Sequence, residues 1–246
     1  MVNAVRSFVR VNRLVSERLL QTFPSIFGGP SYGDDLKYRI EDSIKKNKPS
    51  VVLEAGGTDR PILMRNSSYK YVGVDIESQP DCVHLYDQFI VQSIEDPLQI
   101  RADIIVSITL LEHVPNNTKS VVSMFDCLLP GGYTHHYIPS AFHPYSIALR
   151  MIGPKLQRKL IPLLRPGTEG VTGYPAFFDK CTPTAMTEIF KQSGFTEISV
   201  IPFYRANDYF GFFFPAFIVV SLFENLCSFL NLKIFASGFI ISAKRP

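Results

Sequence analysis

The sequence predicts an α/β fold, a parallel sheet with helices on both faces. Three observations carry this expectation. Short apolar runs recur at Val51–Ala55, Tyr71–Ile76 and Ala102–Ile108, and runs of this length and β-branched content mark strands buried on both faces. Segments with helical spacing alternate with them. The first two runs stop on acids, Glu54 and Asp75, and the first leads straight into Gly56-Gly57. The carboxyl ends of parallel strands are where open α/β sheets bind ligands. Glycines there let the backbone turn tightly and come close to a ligand, and an acid about 20 residues further on accepts hydrogen bonds from ribose hydroxyls. The front half of the chain therefore reads as a holder for an adenosine-containing cofactor.

The elements follow in order. Residues 1–48 form a helical extension ending in Lys45-Lys46-Asn47-Lys48-Pro49. Within it Arg6, Arg10, Arg13 and Arg18 alternate with Val2, Val5, Val9 and Leu14, an amphipathic basic pattern. The arginines also interrupt any apolar core of a signal peptide. The remaining residues, 49–246, make the main domain. Val51–Ala55 is its first strand, Arg60–Asn66 a short helix or turn, Tyr71–Ile76 the second strand and Phe89–Gln92 a short third. Ala102–Ile108 is the fourth. Asn116 or Asn117 caps a helix through Leu129 with Val121, Val122, Phe125 and Leu128 on one face, and Pro130-Gly131-Gly132 breaks it. Tyr133–Ile138 is the fifth strand. Thr182-Pro183 opens a helix that Gly194 ends. Phe195–Phe203 and Ile234–Ala243 are the last strands.

Two insertions depart from the alternation. The first, at about 143–179, sets Arg150, Lys155, Arg158, Lys159 and Arg165 among leucines and isoleucines. The second, at about 206–232, contains an uncharged aromatic run from Tyr209 to Phe223, shorter than the roughly 20 residues that span a bilayer. It reads as a helix covering the core, as a greasy wall for an apolar substrate, or as a patch that dips into a membrane surface. Composition sets bounds. The 246 residues are 46% hydrophobic and 19% charged with a net charge of +3, too little for a nucleic-acid partner. Cys82, Cys127, Cys181 and Cys227 form no CxxC pair, which suits reduced thiols in the cytoplasm. No acids or cysteines at metal-ligand spacing surround His135, His136 and His143, so no metal is expected.

Five motifs in order resemble the class I S-adenosylmethionine-dependent methyltransferases, the type 11-like small-molecule group. They are Leu53-Glu54-Ala55-Gly56-Gly57, Val74-Asp75-Ile76, Val91 through Pro97, Leu110-Leu111-Glu112-His113-Val114-Pro115, and Leu128-Leu129-Pro130-Gly131-Gly132. The stretch Gly173 through Pro183 is similar to bacterial members found near glycan-assembly genes. The resemblance implies a Rossmann-like methyltransferase fold, a mostly parallel seven-stranded sheet with an antiparallel last strand, and S-adenosyl-L-methionine as cofactor. It assigns Glu54, Ala55, Gly56 and Gly57 to the methionyl end, with Glu54 near the ammonium. Asp75 takes the ribose hydroxyls with Ile76 beside it. Gln92, Ser93 and Ile94 face adenine, and Ser107 and Leu110 line the methyl end. The glycine loop departs from the family pattern, because Asp59 and Arg60 stand where its last glycine would fall.

Methyl transfer needs alignment above all, and a base helps when the acceptor is a hydroxyl. His113 is the candidate base, since neutral imidazole takes a proton near pH 7. A histidine opening a helix also serves purely structural roles. His135, His136, His143, Tyr174 and Asp179 stand in reserve, and adjacent strand residues 135 and 136 must face opposite sides. The expected function is methylation, chiefly O-methylation, of a small molecule, sugar or lipid-linked glycan by a cytoplasmic enzyme. Peripheral membrane contact through 143–179 and 209–232 goes with that reading. The shortened glycine loop leaves a catalytically inactive scaffold as the alternative. A nicotinamide oxidoreductase is disfavoured because the six-residue glycine fingerprint is absent.

Overall fold

The computed structural model describes residues 2–78, 80, 82–165, 167–168 and 174–246. Gly173, which opens the glycan-type stretch, lies outside them. The chain divides into two compact units. One comprises Ser31–Pro139, Phe177–Ile201 and Phe239–Pro246, and the other Met1–Pro30, Ser140–Ala176 and Pro202–Gly238. The expected extension, 1–48, is thus split at Pro30.

Along the chain the elements are α1 (Val2–Thr22), α2 (Pro24–Phe27), α3 (Tyr32–Asn47), β1 (Val51–Ala55), β2 (Lys70–Asp75), α4 (Cys82–Leu85), β3 (Gln88–Val91), β4 (Ala102–Ile108), α5 (Asn117–Cys127), β5 (Leu128–Pro139), α6 (Pro144–Ile152), α7 (Pro154–Leu164), α8 (Pro183–Gln192), β6 (Thr196–Phe203), α9 (Phe214–Phe229) and β7 (Gly238–Lys244). The described residues form a seven-stranded sheet in the order β3-β2-β1-β4-β5-β7-β6. The first five strands pair parallel, with Leu53 opposite Val72 and Ile105, and Ile105 opposite Thr134. Arg245 donates to Gly132 O at 2.9 Å and accepts from Gly131 N–H at 2.9 Å. One residue thus faces two, with Gly131 at φ +81°, which is the antiparallel pattern with a glycine bulge.

Strand order reverses between β1 and β4, and open α/β sheets hold their ligands at such a switch point. Val52, Leu53, Ile104, Ile105 and Val106 are fully buried there, as their unbroken apolar runs require. The helices begin on the expected caps. Asn116 Oδ1 accepts from Lys119 N–H at 3.1 Å, and Thr182 Oγ1 from Ala185 N–H at 3.3 Å. Gly194 ends α8 at φ +96°, where a side chain would be strained.

Three expectations need correction. Arg60–Asn66 is irregular chain, with no apolar periodicity to stabilise a turn of helix. The helix expected through Leu129 stops at Cys127, because residues from Leu128 pair with β4. The last strand starts at Gly238, because Lys233–Phe235 forms a 3-10 turn.

The second unit is helical, built from α1, α2, α6, α7 and α9. Its centre is polar. Glu224 of α9 is buried and accepts from Ala206 N–H at 2.7 Å. It also meets His143 Nε2 at 3.2 Å and Arg205 Nη1 at 3.4 Å. Asn207 donates to Phe27 O at 2.9 Å and to Ser221 Oγ at 2.8 Å. Glu224 and Asn207 thus have partners, as burial demands. Among the described residues no helix is long and apolar enough to cross a membrane.

Candidate active site

At the switch point the carboxyl end of β1 turns on Gly56, at φ +77°. Gly56 and Gly57 donate to Val74 O at 2.8 and 3.1 Å, so the loop folds back onto the end of β2. A Cβ on Gly56 would come 3.1 Å from Leu110 Cβ, and one on Gly57 3.1 Å from Gly73 Cα. The two glycines therefore allow β1, β2 and the segment after β4 to converge. Thr109, just before Leu110, sits at φ +50°. A β-branched residue in that region holds local strain of about 1–3 kcal/mol, and such strain gathers at functional sites.

Asp75 ends β2 half-buried. Its Oδ1 accepts from Glu77 N–H at 3.0 Å and its carbonyl from Gln92 N–H at 2.8 Å. Burial raises the carboxyl above its ordinary value. Ile76 beside it is largely exposed, whereas Ile94 is buried. The Gln92 amide donates to Asp96 O and Pro97 O at 3.3 and 3.0 Å, and Ser93 Oγ accepts from Glu95 N–H at 3.2 Å. Both side chains thus shape the loop after β3. The ends of β1 to β4 bring Gly56, Asp75, Gln92 and Leu110 to one edge of the sheet.

Other expected residues lie deeper. Ala55 is buried in the sheet. Glu54 is enclosed, its Oε2 accepting from the Tyr71 hydroxyl and from Ile62 N–H at 2.9 Å. Burial pushes its carboxyl up to about 7 despite these donors. Ser107 Oγ pairs with His136 Nδ1 at 2.7 Å, both fully buried. His136 Nε2 meets Thr134 Oγ1, while His135 bridges Ser43 Oγ at 2.8 Å and Ser242 Oγ at 2.9 Å. Burial pulls His135 and His136 down to about 4 and 3, so both imidazoles are neutral core residues. His143 caps α6 by accepting from Tyr145 N–H at 3.2 Å. Asp179 Oδ2 accepts from Asn117 N–H at 2.8 Å at the start of α5, a position that favours a negative charge. These four reserve residues have structural work, and Tyr174 is half-exposed.

The segment after β4 forms a 3-10 turn, Leu111–His113. His113 is partly exposed, with Glu112 Oε1 3.7 Å from its Nε2. Glu112 is buried and its Oε2 has no hydrogen-bond partner. Burial pushes this carboxyl up to about 8. Phe177 and Phe178 donate their N–H groups to Glu112 O at 2.8 and 3.0 Å, and Asn117 Nδ2 donates to Leu111 O at 2.8 Å. Sequence reasoning missed Tyr71, Asn117 and the 177–178 clasp. The only local signal was Asn117 beside a capping asparagine. An open depression of about 480 Å³ lined by Pro97, Arg101, Asp126 and Arg245 lies at the opposite, amino end of β4.

The arrangement suits an adenosyl cofactor. Asp75 offers a carboxylate at a strand end, exposed Ile76 offers an apolar face beside it, and Gly56-Gly57 make the tight turn that brings backbone to the same edge.

Comparisons with known proteins bear on the fold and the family. A family model described as a methyltransferase domain matches residues 32–200. No curated protein matches the sequence. Among solved structures, the N-methyltransferase NodS of Bradyrhizobium japonicum, in complex with S-adenosyl-L-homocysteine, is similar at 10% identity. Its TM-score is 0.51, over 92% of this chain and 97% of that one. The carbon methyltransferase CurJ is similar at 13% identity and TM-score 0.51, over 87% of this chain and 54% of that one. A phosphoethanolamine N-methyltransferase of Haemonchus contortus is similar at 13% identity and TM-score 0.50, over 98% of this chain and 60% of that one. At such identities the structures speak for the fold alone, and the family match covers most of the sheet unit. The chain belongs to the methyltransferase domain family, as a class I S-adenosylmethionine-dependent methyltransferase.

Proposed function

We propose that the chain uses S-adenosylmethionine to methylate a hydroxyl of a small molecule, a sugar or a lipid-linked glycan. The observation that carries the reading is the pairing of a cofactor-type edge, Gly56 to Asp75, with a partly exposed His113 on the turn after β4. When bound, the cofactor supplies an electrophilic methyl on a sulfonium. Asp75 would accept the ribose hydroxyls, Ile76 would lie against the adenine, and Gly56-Gly57 would admit the methionyl portion. His113 would take the acceptor's proton at an imidazole nitrogen, with the Glu112 backbone held by Phe177 and Phe178 fixing the turn that carries it. A cytoplasmic setting fits the four free, buried cysteines. The basic, apolar insertions favour a lipid-linked acceptor.

The test is calorimetric titration with S-adenosylmethionine beside Asp75→Ala. Loss of a charged acceptor for two hydroxyls should weaken binding about tenfold or more. A turnover assay on lipid-linked sugars follows. His113→Ala should lower kcat about 10²–10⁴-fold at unchanged cofactor affinity, which a structural histidine would not do. No binding by the folded wild-type chain would overturn the reading and leave the inactive scaffold.

A further inference from the structure

Helix α9 buries its one charge and exposes leucines. Ser221 and Glu224 are buried, at 0% and 1% exposure, beside Phe217, Val220 and Cys227. Its outward stripe is Val219, Leu222, Leu226 and Phe229, which are 65%, 55%, 54% and 86% exposed. These four recur at helical spacing on one face. A surface helix in water does the opposite, with charges out and leucines in. The inward placement of Glu224 is enforced by three partners in the same unit, the His143 ring, the Arg205 guanidinium and Ala206 N–H. The outward leucines are therefore the built arrangement of this helix.

The charge of the same unit says what covers that stripe. Met1–Pro30, Ser140–Ala176 and Pro202–Gly238 hold eleven Lys and Arg against four Asp and Glu, a net +7. The other unit holds fourteen against eighteen, a net −4. From residue 140 to 168 five basic residues occur with no acid. Lys155 and Lys159 of α7 and Lys233 beyond α9 are exposed. An outward apolar stripe on a unit with a surplus of exposed cations is the composition of a surface that lies in the headgroup layer of an anionic bilayer. No described helix is able to span one, so the contact is interfacial.

We infer that this helical unit docks on an anionic lipid bilayer through the outward face of α9, with α7 lysines on the headgroups. The inference is independent of the methyl acceptor proposed above. Its test is co-sedimentation of the full chain with vesicles of one part phosphatidylglycerol to two parts phosphatidylcholine, and with pure phosphatidylcholine. Cofactor affinity is measured on the same samples, so that failure of docking and failure of the methyltransferase reading are told apart. The chain is expected to pellet with the anionic vesicles and to be released by salt. Leu222→Ser with Leu226→Asn should weaken partitioning about tenfold or more, since each outward leucine contributes buried apolar area. Lys155→Gln should weaken it about fivefold on anionic vesicles only. Unchanged thermal unfolding of the variants shows that folding is kept. A chain that stays in the supernatant would overturn the inference, as would equal binding to both vesicles. A dimer in sedimentation velocity that Leu222→Ser and Leu226→Asn dissociate would also overturn it, by assigning the face to a second copy.

Discussion

The two units bury their glutamates in opposite ways. In the sheet unit Glu54 and Glu112 are enclosed without a permanent cation; Glu54 meets a phenol and a backbone N–H, and Glu112 has one orphan oxygen. Both carboxyls are pushed up, to about 7 and about 8, so burial is met by holding the proton to a higher pH than an exposed glutamate does. In the helical unit Glu224 is equally buried but has Arg205, His143 and Ala206 N–H around it. There burial is met by pairing. All three side chains are buried, and their partners differ. The sheet unit thereby carries a pH-sensitive element beneath its candidate site, while the helical unit carries a polar core that turns α9's leucines outward.

Breaking the paired glutamate should have the largest effect. Glu224→Ala leaves His143 and the Ala206 N–H buried without their acceptor and takes the carboxylate from Arg205, and should cost about 3–5 kcal/mol in urea unfolding. A loss below about 1 kcal/mol would show that the cluster does not organise the unit.

The unpaired glutamates should show in pH dependence. A folded value raised above 4.5 means that their contribution is fully present below pH 4.5 and is lost as pH rises through about 7 and 8. For Glu54 alone the shift corresponds to about 3 kcal/mol, and Glu112 acts in the same direction. Unfolding free energy measured from pH 5 to 9 should fall with pH. Glu112→Gln, which keeps the shape without the charge, should flatten that fall and exceed the wild type at pH 9. A flat wild-type profile would end the contrast between the units.

Gly56→Ala tests the convergence of strands at the switch point. A Cβ at φ +77° against Leu110 should cost about 1–2 kcal/mol and weaken cofactor binding in the titration described above. The smallest effect is expected at Thr109. Thr109→Gly relieves a φ of +50° but frees the unfolded chain, so stability should rise by no more than about 1 kcal/mol. A drop in melting temperature would show that the Thr109 side chain contributes contacts outweighing its strain.

Much of the sheet was legible in the chain. Val51–Ala55, Tyr71–Asp75 and Ala102–Ile108 are continuous apolar runs because both their faces are covered. Asn116, Thr182 and Gly194 mark helix ends by chemistry that is local. Gly56, Gly57 and Asp75 were legible as a strand-end pattern for the same reason. His135 and His136 were not, because a histidine in a strand looks alike whether it faces a site or three serines and a threonine. Gln92 and Ser93 follow β3 directly, and their side chains bond within the loop they begin. The clasp of Phe177 and Phe178 on Glu112 joins residues more than sixty positions apart, beyond the reach of any local pattern.

The sequence by itself determined the strands, the caps, the glycine turn and the family, since each rests on short-range sterics and hydrogen bonding or on ordered motifs. Only the tertiary structure decided the strand order, the burial of the two glutamates and the direction of α9. The run from Phe213 to Phe223 is apolar on every side, and nothing local says which side meets protein. That was settled by Glu224, the next residue, which Arg205, His143 and Ala206 N–H hold inside from other segments.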